Sequence, residues 1–321
     1  MSDLLKGLTA GGWGGLFAWI APNAISVALF WIFVYEPATD VPLRHLFTSL
    51  EPAELCIALF AIAATFGVVA SAASTPLYRL LEGYAWPRRL RRYRAAIHVK
   101  RKHAIKLRAD AAPKGWEKGL QLEKLARYPL DDTQVVPTRL GNSIRAFETY
   151  GKTRFNLDSQ TLWSELCSVV PKYLQSELDQ SRAIVDFFVA LFYACVTAAL
   201  LSIAMGISDM TATRNFVFGA LMLLASWGAY EMAVRSCAYW RATVQALVDL
   251  GRIDLAKRLG LELPATLSKE REMWGYVTAY VYYSDATTGE KLDAFRAGKP
   301  APKQANDTLS RIKRLLRALI S

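Results

Sequence analysis

Four stretches of the sequence are long, apolar and almost free of charge, and they limit what the chain can fold into. Residues 13–35 and 55–73 contain no charged side chain, while residues 183–207 and 216–239 carry charges only toward one end. A helix rises about 1.5 Å per residue, so each stretch comes close to the length needed to cross a hydrocarbon core of ~30 Å. The pattern predicts four transmembrane helices.

Two other structures could produce apolar stretches, and the sequence favours neither. A secretory signal peptide has an apolar core of about 7–15 residues followed by a small-residue cleavage site. Residues 13–35 are longer, and no such site follows them. Helices buried in a globular core seldom form four runs of this length with charges confined to the ends. We therefore expect the stretches to cross a membrane.

Lys and Arg are distributed unevenly around these stretches, which predicts their orientation. The connections after the first and third stretches contain one basic residue each, Arg44 and Arg214, whereas residues 79–108 contain eleven and a single acid. Short loops rich in Lys and Arg stay on the cytoplasmic side. We expect a protein of the bacterial inner membrane with both termini in the cytoplasm.

Contact with the anionic headgroups of the inner leaflet is expected of two basic segments, residues 79–108 and 307–321. Both combine positive charge with a position close to the membrane. Residues 307–321 also place leucines on one helical face and cations on the others, as in helices that lie in a headgroup layer. Docking of residues 307–321 on the protein itself is the alternative, and nucleic acid is a less favoured partner of the arginine run. The expected lipid contacts are Arg88, Arg89, Arg91, Arg92, Arg94, Arg311, Lys313, Arg314 and Arg317.

The expected fold class is all-α: an integral membrane protein with four transmembrane helices in two hairpins and a helical cytoplasmic domain. The four cysteines are too far apart for a CxxC motif and read as reduced structural thiols. The segments that we expect are a first hairpin (1–76), a basic helix and cytoplasmic domain (77–182), a second hairpin (183–239), a helical extension (240–284), a linker (285–306) and an amphipathic helix (307–321).

Two features inside the apolar stretches stand out. Small residues recur every fourth position at Ala63, Gly67 and Ser71, which favours close approach of another helix. In the second hairpin, Asp186 should lie at a depth similar to that of Arg235, with Glu231 one turn away. Charges at this depth are costly unless they are paired, so these three side chains either lock the hairpin or line a polar pore mouth.

A second polar set lies in the stretch before the second hairpin. Thr138 follows a proline and is a plausible N-cap, and a helix from there would carry polar residues on several faces. This set could form a binding site or the salt-bridged surface of a helical domain, and the second reading is favoured. Its members are Arg139, Asn142, Arg145, Glu148 and Asp158, with Arg154 nearby.

Motifs for catalysis or metal binding do not appear in the sequence. His98 and His103 are five residues apart on an expected helix and share no face, so they cannot chelate a metal together. There is no GxSxG, P-loop, GxGxxG or HExxH pattern. We expect no cofactor and no metal, and an enzymatic activity is less favoured than a binding function.

Two boxes of residues resemble a family of uncharacterised bacterial multi-pass membrane proteins. The first box, PTRLGN followed by a Glu, precedes a transmembrane hairpin, and the second, with a DL.R..L pattern and a later ER..W, follows it. The sequence departs from the first box at Phe147 and Asn156. The resemblance implies the same topology and paired boxes, and no activity. The matching residues are Arg139, Gly141, Asn142, Glu148, Asp158, Trp163, Asp249, Leu250, Arg252, Leu255, Leu259, Pro264, Glu270, Arg271 and Trp274.

The function favoured by these features is that of a non-enzymatic membrane protein whose cytoplasmic helices bind a partner or a signal at the inner leaflet. The expected partners are anionic lipids together with a second protein or further copies of the chain. An oligomeric channel is the first alternative, suggested by the small-residue face and the intramembrane charges. A membrane enzyme of unknown chemistry is the second.

Overall fold

The computed structural model describes residues 13–38, 46–47, 49–208, 213–283 and 286–296, and these are almost entirely helical. Within those ranges no strand forms, and a single antiparallel bridge joins Leu261 to Arg296. Short π- and 3₁₀-helical turns occupy Trp31–Tyr35, Asp132–Gln134 and Asp293–Phe295. The α-helices are α1 (Trp13–Phe30), α2 (Pro52–Ala72), α3 (Ser74–Glu82), α4 (Arg88–Ala111), α5 (Trp116–Leu125), α6 (Arg139–Glu148), α7 (Tyr150–Phe155), α8 (Trp163–Val169), α9 (Lys172–Ser208), α10 (Thr213–Arg258), α11 (Leu267–Tyr283) and α12 (Ala286–Leu292).

Four helical stretches are long and apolar enough to cross a membrane, and they coincide with the apolar stretches of the sequence. They are α1 with the π-helical turn that follows it (Gly14–Tyr35), α2, α9 and α10. Helices α9 and α10 contain 37 and 46 residues, so they extend about 56 and 69 Å, well beyond a hydrocarbon core of ~30 Å. Each therefore continues as helix outside its apolar stretch.

Local sequence accounts for a weakened turn inside α1 and for the start of α2. Pro22 lies inside α1, and the side-chain amide of Asn23 donates to the carbonyl of Trp19, 2.8 Å away, in the turn that the proline weakens. Helix α2 starts with Pro52 at its first position and a capping box in which Glu51 and Glu54 accept each other's backbone N–H.

The chain divides into two compact units, each formed from two segments. The first contains Met1–Glu148 and Pro171–Ala246, and the second contains Thr149–Val170 and Leu247–Ser321. Helix α10 contributes its residues up to Ala246 to the first unit and the remainder to the second.

In the first unit, α1 packs against both α2 and α9. The hydroxyl of Ser26 on α1 donates to the carbonyl of Ala194 on α9, 3.0 Å away. Helices α9 and α10 also touch at both ends, through Ser202 with the carbonyl of Asn215 (2.7 Å) and through Ser181 with Thr243 (2.9 Å). Hydroxyls that bond across helices hold such elements together where water is absent.

The basic helix α4 is joined to the loop before α6 by a buried cation. Lys102 is only 7% exposed, and its ammonium donates to the carbonyl of Leu130 (2.7 Å) and to the carboxylate of Asp132 (2.6 Å). Helix α6 then lies against the end of α3, because Gly141 leaves room for the carbonyl of Glu82, which would be 2.7 Å from a Cβ there.

The second unit is built around Trp274, which is fully buried on α11. Arg252 and Glu270 form an ion pair of 2.8 Å, and the Arg252 guanidinium lies 4.2 Å from the centre of the Phe155 ring. Tyr150 donates to the carboxylate of Asp249 at 2.9 Å. Four residues of the second box, Asp249, Arg252, Glu270 and Trp274, thus hold this unit together.

The C-terminal part is described only as far as residue 296. The linker expected over residues 285–306 is wrong for residues 286–296, where α12 and the turn Asp293–Phe295 form. Residues 307–321, including the cations Arg311, Lys313, Arg314 and Arg317, lie outside the described residues.

Candidate functional site

An ion pair between α6 and α10 joins two residues that the sequence assigned to different sets. Arg139 came from the polar set before the second hairpin, and Glu231 from the intramembrane set. The guanidinium of Arg139 contacts the carboxylate of Glu231, and the side chains are 33% and 18% exposed. The hydroxyl of Tyr230 accepts the backbone N–H of Leu140 beside this pair (3.3 Å). Both helices are thereby fixed at one point of the first unit.

A small cavity with basic walls lies beside this ion pair, and we call it the basic pocket. Its volume is about 130 Å³. The floor contains the buried residues Ile105, Ser143 and Val234, and four cations stand around it. The complete lining is Arg101, Ile105, Lys124, Arg127, Tyr128, Arg139, Ser143 and Val234.

Two cations of the basic pocket are matched by acids and two are not. Arg139 pairs with Glu231, and Arg127 pairs with Glu123 at 2.8 Å. None of the described residues forms an ion pair with Arg101 or Lys124. The basic pocket therefore carries an excess of two positive charges.

The titration of His98 on α4 reflects this positive environment. Burial lowers the pKa of His98 to about 4, and Arg94, Arg101 and Arg139 lower it further by repelling its proton. Its Nδ1 lies 3.3 Å from the hydroxyl of Tyr128, which lines the basic pocket. The imidazole is therefore neutral at pH 7 and leaves the charge of the pocket to its arginines and lysine.

The remaining members of the polar set each have partners within their own unit. Asn142 is 1% exposed, and its side chain accepts from the N–H of Val136 (3.0 Å) and donates to the carbonyls of Val136 (2.7 Å) and Thr138 (2.6 Å), so it holds the loop before α6. Asp158 belongs to the second unit, where it lies 3.8 Å from Lys152. The sequence favours a salt-bridged helical surface over a single site for this set, and that interpretation stays a prediction.

Arg145 and Glu148 belong to a separate group of charges at the end of α3. The guanidinium of Arg145 donates to Gln134 (3.0 Å) and to Glu148 (3.2 Å). Burial raises the pKa of Glu82 in the same group to about 7, and repulsion by Glu148 acts in the same direction, while Arg145 and Arg79 oppose it. A carboxyl near this value changes its charge close to neutral pH.

The intramembrane cluster expected from Asp186, Glu231 and Arg235 does not form. Asp186 accepts from the hydroxyl of Tyr78 (2.6 Å) and lies 3.7 Å from Arg182. Arg235 is exposed, and within the described ranges no ion pair joins it to either acid. Equal depth along two helices does not bring side chains together, because their directions around each helix axis also matter.

The other residues singled out in the sequence lie on α2 and α4. On α2, Ala63 is 1% exposed, and a Cβ at Gly67 would lie 2.7 Å from the Cα of Ile20, so the small-residue face lies against α1. On α4, Arg88, Arg89, Arg92 and Arg94 are exposed, while Arg91 donates to the carbonyl of Tyr84 (3.0 Å).

Lys124, Arg127 and Tyr128 were not singled out in the sequence, and Arg101 was only one cation of a longer run. The four residues come from α4 and from the end of α5 and the turn after it. No local pattern marks them, because α4 is basic along most of its length and the charges of α5 are balanced between acids and bases. Across the described residues, no group of three or more His, Cys, Asp or Glu side chains could hold a metal ion.

Comparison with known proteins yields no relative on which a function could be based. No protein-family model matches the chain, and neither a curated protein nor a solved structure matches it.

Proposed function

We propose that this chain is a membrane protein with a binding function, which recognises a phosphate-bearing anion at the cytoplasmic face of the bacterial inner membrane. The observation that carries the proposal is the basic pocket, in which four cations surround a buried floor and two of them have no acidic partner among the described residues. Arginines and lysines in such a setting favour planar or tetrahedral oxyanions, because several N–H donors converge on the same oxygens.

The position of the basic pocket supports a ligand at the level of the headgroups. Val234 lies on its floor, close to the end of the apolar stretch of α10, and Arg101 lies on the basic helix α4. In the proposed topology of two hairpins, both segments face the cytoplasm, where anionic lipids attract basic residues. The ligand is therefore a phosphate group, supplied either by a lipid headgroup or by a soluble signal.

The size of the basic pocket agrees with a phosphate group rather than a whole organic ligand. Typical small-molecule pockets measure about 300–1,000 Å³, whereas this one measures about 130 Å³. The hydroxyls of Tyr128 and Ser143 also line it and can supply further hydrogen bonds to an oxyanion.

Membership of the bacterial family with the two boxes is part of the proposal, supported by the contacts that second-box residues make within the second unit.

The test compares thermal unfolding of the full chain in detergent with inorganic phosphate and with chloride at equal ionic strength. A ligand that binds the folded state at 100 times its dissociation constant adds about 2.7 kcal/mol of stability, so phosphate should raise the melting temperature. Arg101→Gln with Lys124→Gln should abolish this rise. Arg92→Gln, on an exposed position of the same helix, is the matched control and should keep it.

The choice of probe separates the two sources of phosphate. In nanodiscs, a response to phosphatidic acid that free phosphate does not reproduce would identify a lipid headgroup, and the reverse would identify a soluble signal. An unchanged melting temperature of the unsubstituted chain with both probes would overturn the proposal. So would an equal rise in the doubly substituted chain.

A further inference from the structure

Two cavities in the first unit lie along the same three helices, α1, α2 and α9. One has a volume of about 450 Å³ and a mostly apolar lining that includes Phe30, Leu59, Phe66 and Leu201. The other has a volume of about 530 Å³, and polar and charged side chains contribute much of its lining. Because α1 packs between α2 and α9, it forms the floor of both cavities, and we call the two together the α1 cleft.

The two cavities follow each other on matching helix faces. On α1, Trp19 lines the polar cavity and Asn23 lines the apolar one. On α9, Asp186 lines the polar cavity and Ala190 lines the apolar one. Residues four apart lie on the same face of a helix, one turn from each other. The α1 cleft thus changes from polar to apolar within about one helical turn.

The charges at the polar end are balanced. Lys172 and Arg182 supply two cations, and Asp179 and Asp186 supply two anions. Asp186 is buried and already engaged by Tyr78 and Arg182, which leaves Asp179 as the exposed acid. A ligand that fits this end carries both a negative group and a positive group. A ligand with only one charge would leave either Lys172 or Asp179 without an opposite charge.

The apolar cavity has about the length of one acyl chain, which spans half of a hydrocarbon core. From Ala190 to Leu201 along α9 the distance is about 17 Å, and half of a ~30 Å hydrocarbon core is about 15 Å. An extended acyl chain needs little width and fits along a cavity of about 450 Å³. The occupant is therefore a narrow, flexible chain.

We propose that the α1 cleft binds one zwitterionic glycerophospholipid, with its phosphate at Lys172, its ammonium group at Asp179 and one acyl chain in the apolar cavity. Phosphatidylethanolamine has this combination of charges, whereas phosphatidylglycerol has the phosphate without the ammonium group. Binding here is independent of the basic pocket, which lies among other helices and carries an excess of positive charge.

Native mass spectrometry of the full chain, released from detergent with added lipid, tests this assignment. We expect one bound phosphatidylethanolamine per chain and about tenfold weaker binding of phosphatidylglycerol, which corresponds to ~1.4 kcal/mol. Ala70→Phe places a ring in the apolar cavity and should remove the bound lipid. Ala72→Phe, on the exposed side of the same helix, is the matched control and should retain it.

Asp179→Asn tests the headgroup separately, since it removes an exposed carboxylate and leaves the apolar cavity intact. It should reduce the preference for phosphatidylethanolamine over phosphatidylglycerol to near equality. Equal binding of the two lipids by the unsubstituted chain would overturn the zwitterionic assignment. Equal lipid retention in Ala70→Phe and Ala72→Phe would overturn the site itself.

Discussion

Single charged residues of the first unit derive their properties from neighbours that are remote in sequence. Glu82 ends α3, but the acid and the base that act on it most, Glu148 and Arg145, belong to α6. Glu231 was expected to find its partner one turn away at Arg235, and it pairs with Arg139 instead. Chemistry at this scale is decided by which helices meet, since a carboxylate is stabilised by whichever cation lies within a few ångströms of it.

The titration of Glu82 makes a testable contribution to stability. Its pKa rises from 4.5 in the unfolded chain to about 7 in the folded one, so the folded state favours the protonated form. The contribution of Glu82 to stability is therefore complete below pH 4.5 and is lost as the pH rises through about 7. Glu82→Gln removes this loss, and its stability relative to the unsubstituted chain should increase by about 2 kcal/mol between pH 4.5 and pH 8.

Chemical unfolding of both chains in detergent at several pH values measures this difference. Glu117→Gln, at an exposed position on α5, is the control and should show no comparable pH dependence. A constant difference between Glu82→Gln and the unsubstituted chain over this range would contradict the assignment of Glu82 as the titrating group.

At the scale of helices, small residues determine how closely the elements approach. Gly67 faces the backbone of α1, and Gly141 faces the backbone at the end of α3. At both positions the nearest atoms include backbone, which cannot rotate away as a flexible side chain can. The contact of α2 with α1 thus depends on a missing methyl group, as in other tightly packed membrane helices.

Replacing Gly67 with alanine should destabilise the chain, although alanine is the better helix former. The added Cβ would lie 2.7 Å from the Cα of Ile20, so α1 must move, at a typical cost of about 1–3 kcal/mol. The control is Gly228→Ala on α10, where the Cβ meets nothing within 4 Å. It should be neutral or stabilising by up to about 1 kcal/mol. Equal melting temperatures of the two variants would show that α1 and α2 do not approach as described.

At the scale of the whole molecule, apolar and charged residues are separated along the chain. The net charge of +11 is concentrated in segments between and beyond the apolar helices, and residues 79–108 alone hold eleven basic side chains. This separation supports the proposed orientation, because basic segments resist transfer across the inner membrane. Lipid contact by the exposed arginines of α4 belongs to the same proposal.

Cysteine accessibility tests the proposed orientation. In a chain whose four native cysteines are replaced, Arg214→Cys should react with a membrane-impermeant maleimide added to spheroplasts, since the connection between α9 and α10 is proposed to lie outside. Arg92→Cys, on α4, should react only after the membrane is permeabilised. Both positions are exposed in the folded chain, so burial does not protect either. Labelling of both from the same side would reverse or remove the proposed topology.

The sequence by itself determined the helical class, the four helices that are long and apolar enough to cross a membrane, and several helix ends. These features depend on properties that are local along the chain, namely the length of apolar stretches and the residues at helix starts. Thr138 illustrates this, since its hydroxyl accepts the backbone N–H of Gly141 at 3.0 Å, as expected of an N-cap. The short helix α12 escaped notice because residues 285–306 show no hydrophobic periodicity.

Only the tertiary structure decided which side chains meet. The pair of Arg139 with Glu231, the basic pocket and the α1 cleft each combine residues from helices that are far apart in sequence. Spacing along one helix gives the depth of a side chain, but the rotation and neighbours of that helix result from packing over the whole unit. For this reason Asp186 and Glu231, foreseen as members of one intramembrane cluster, have different partners, and Arg235 is exposed.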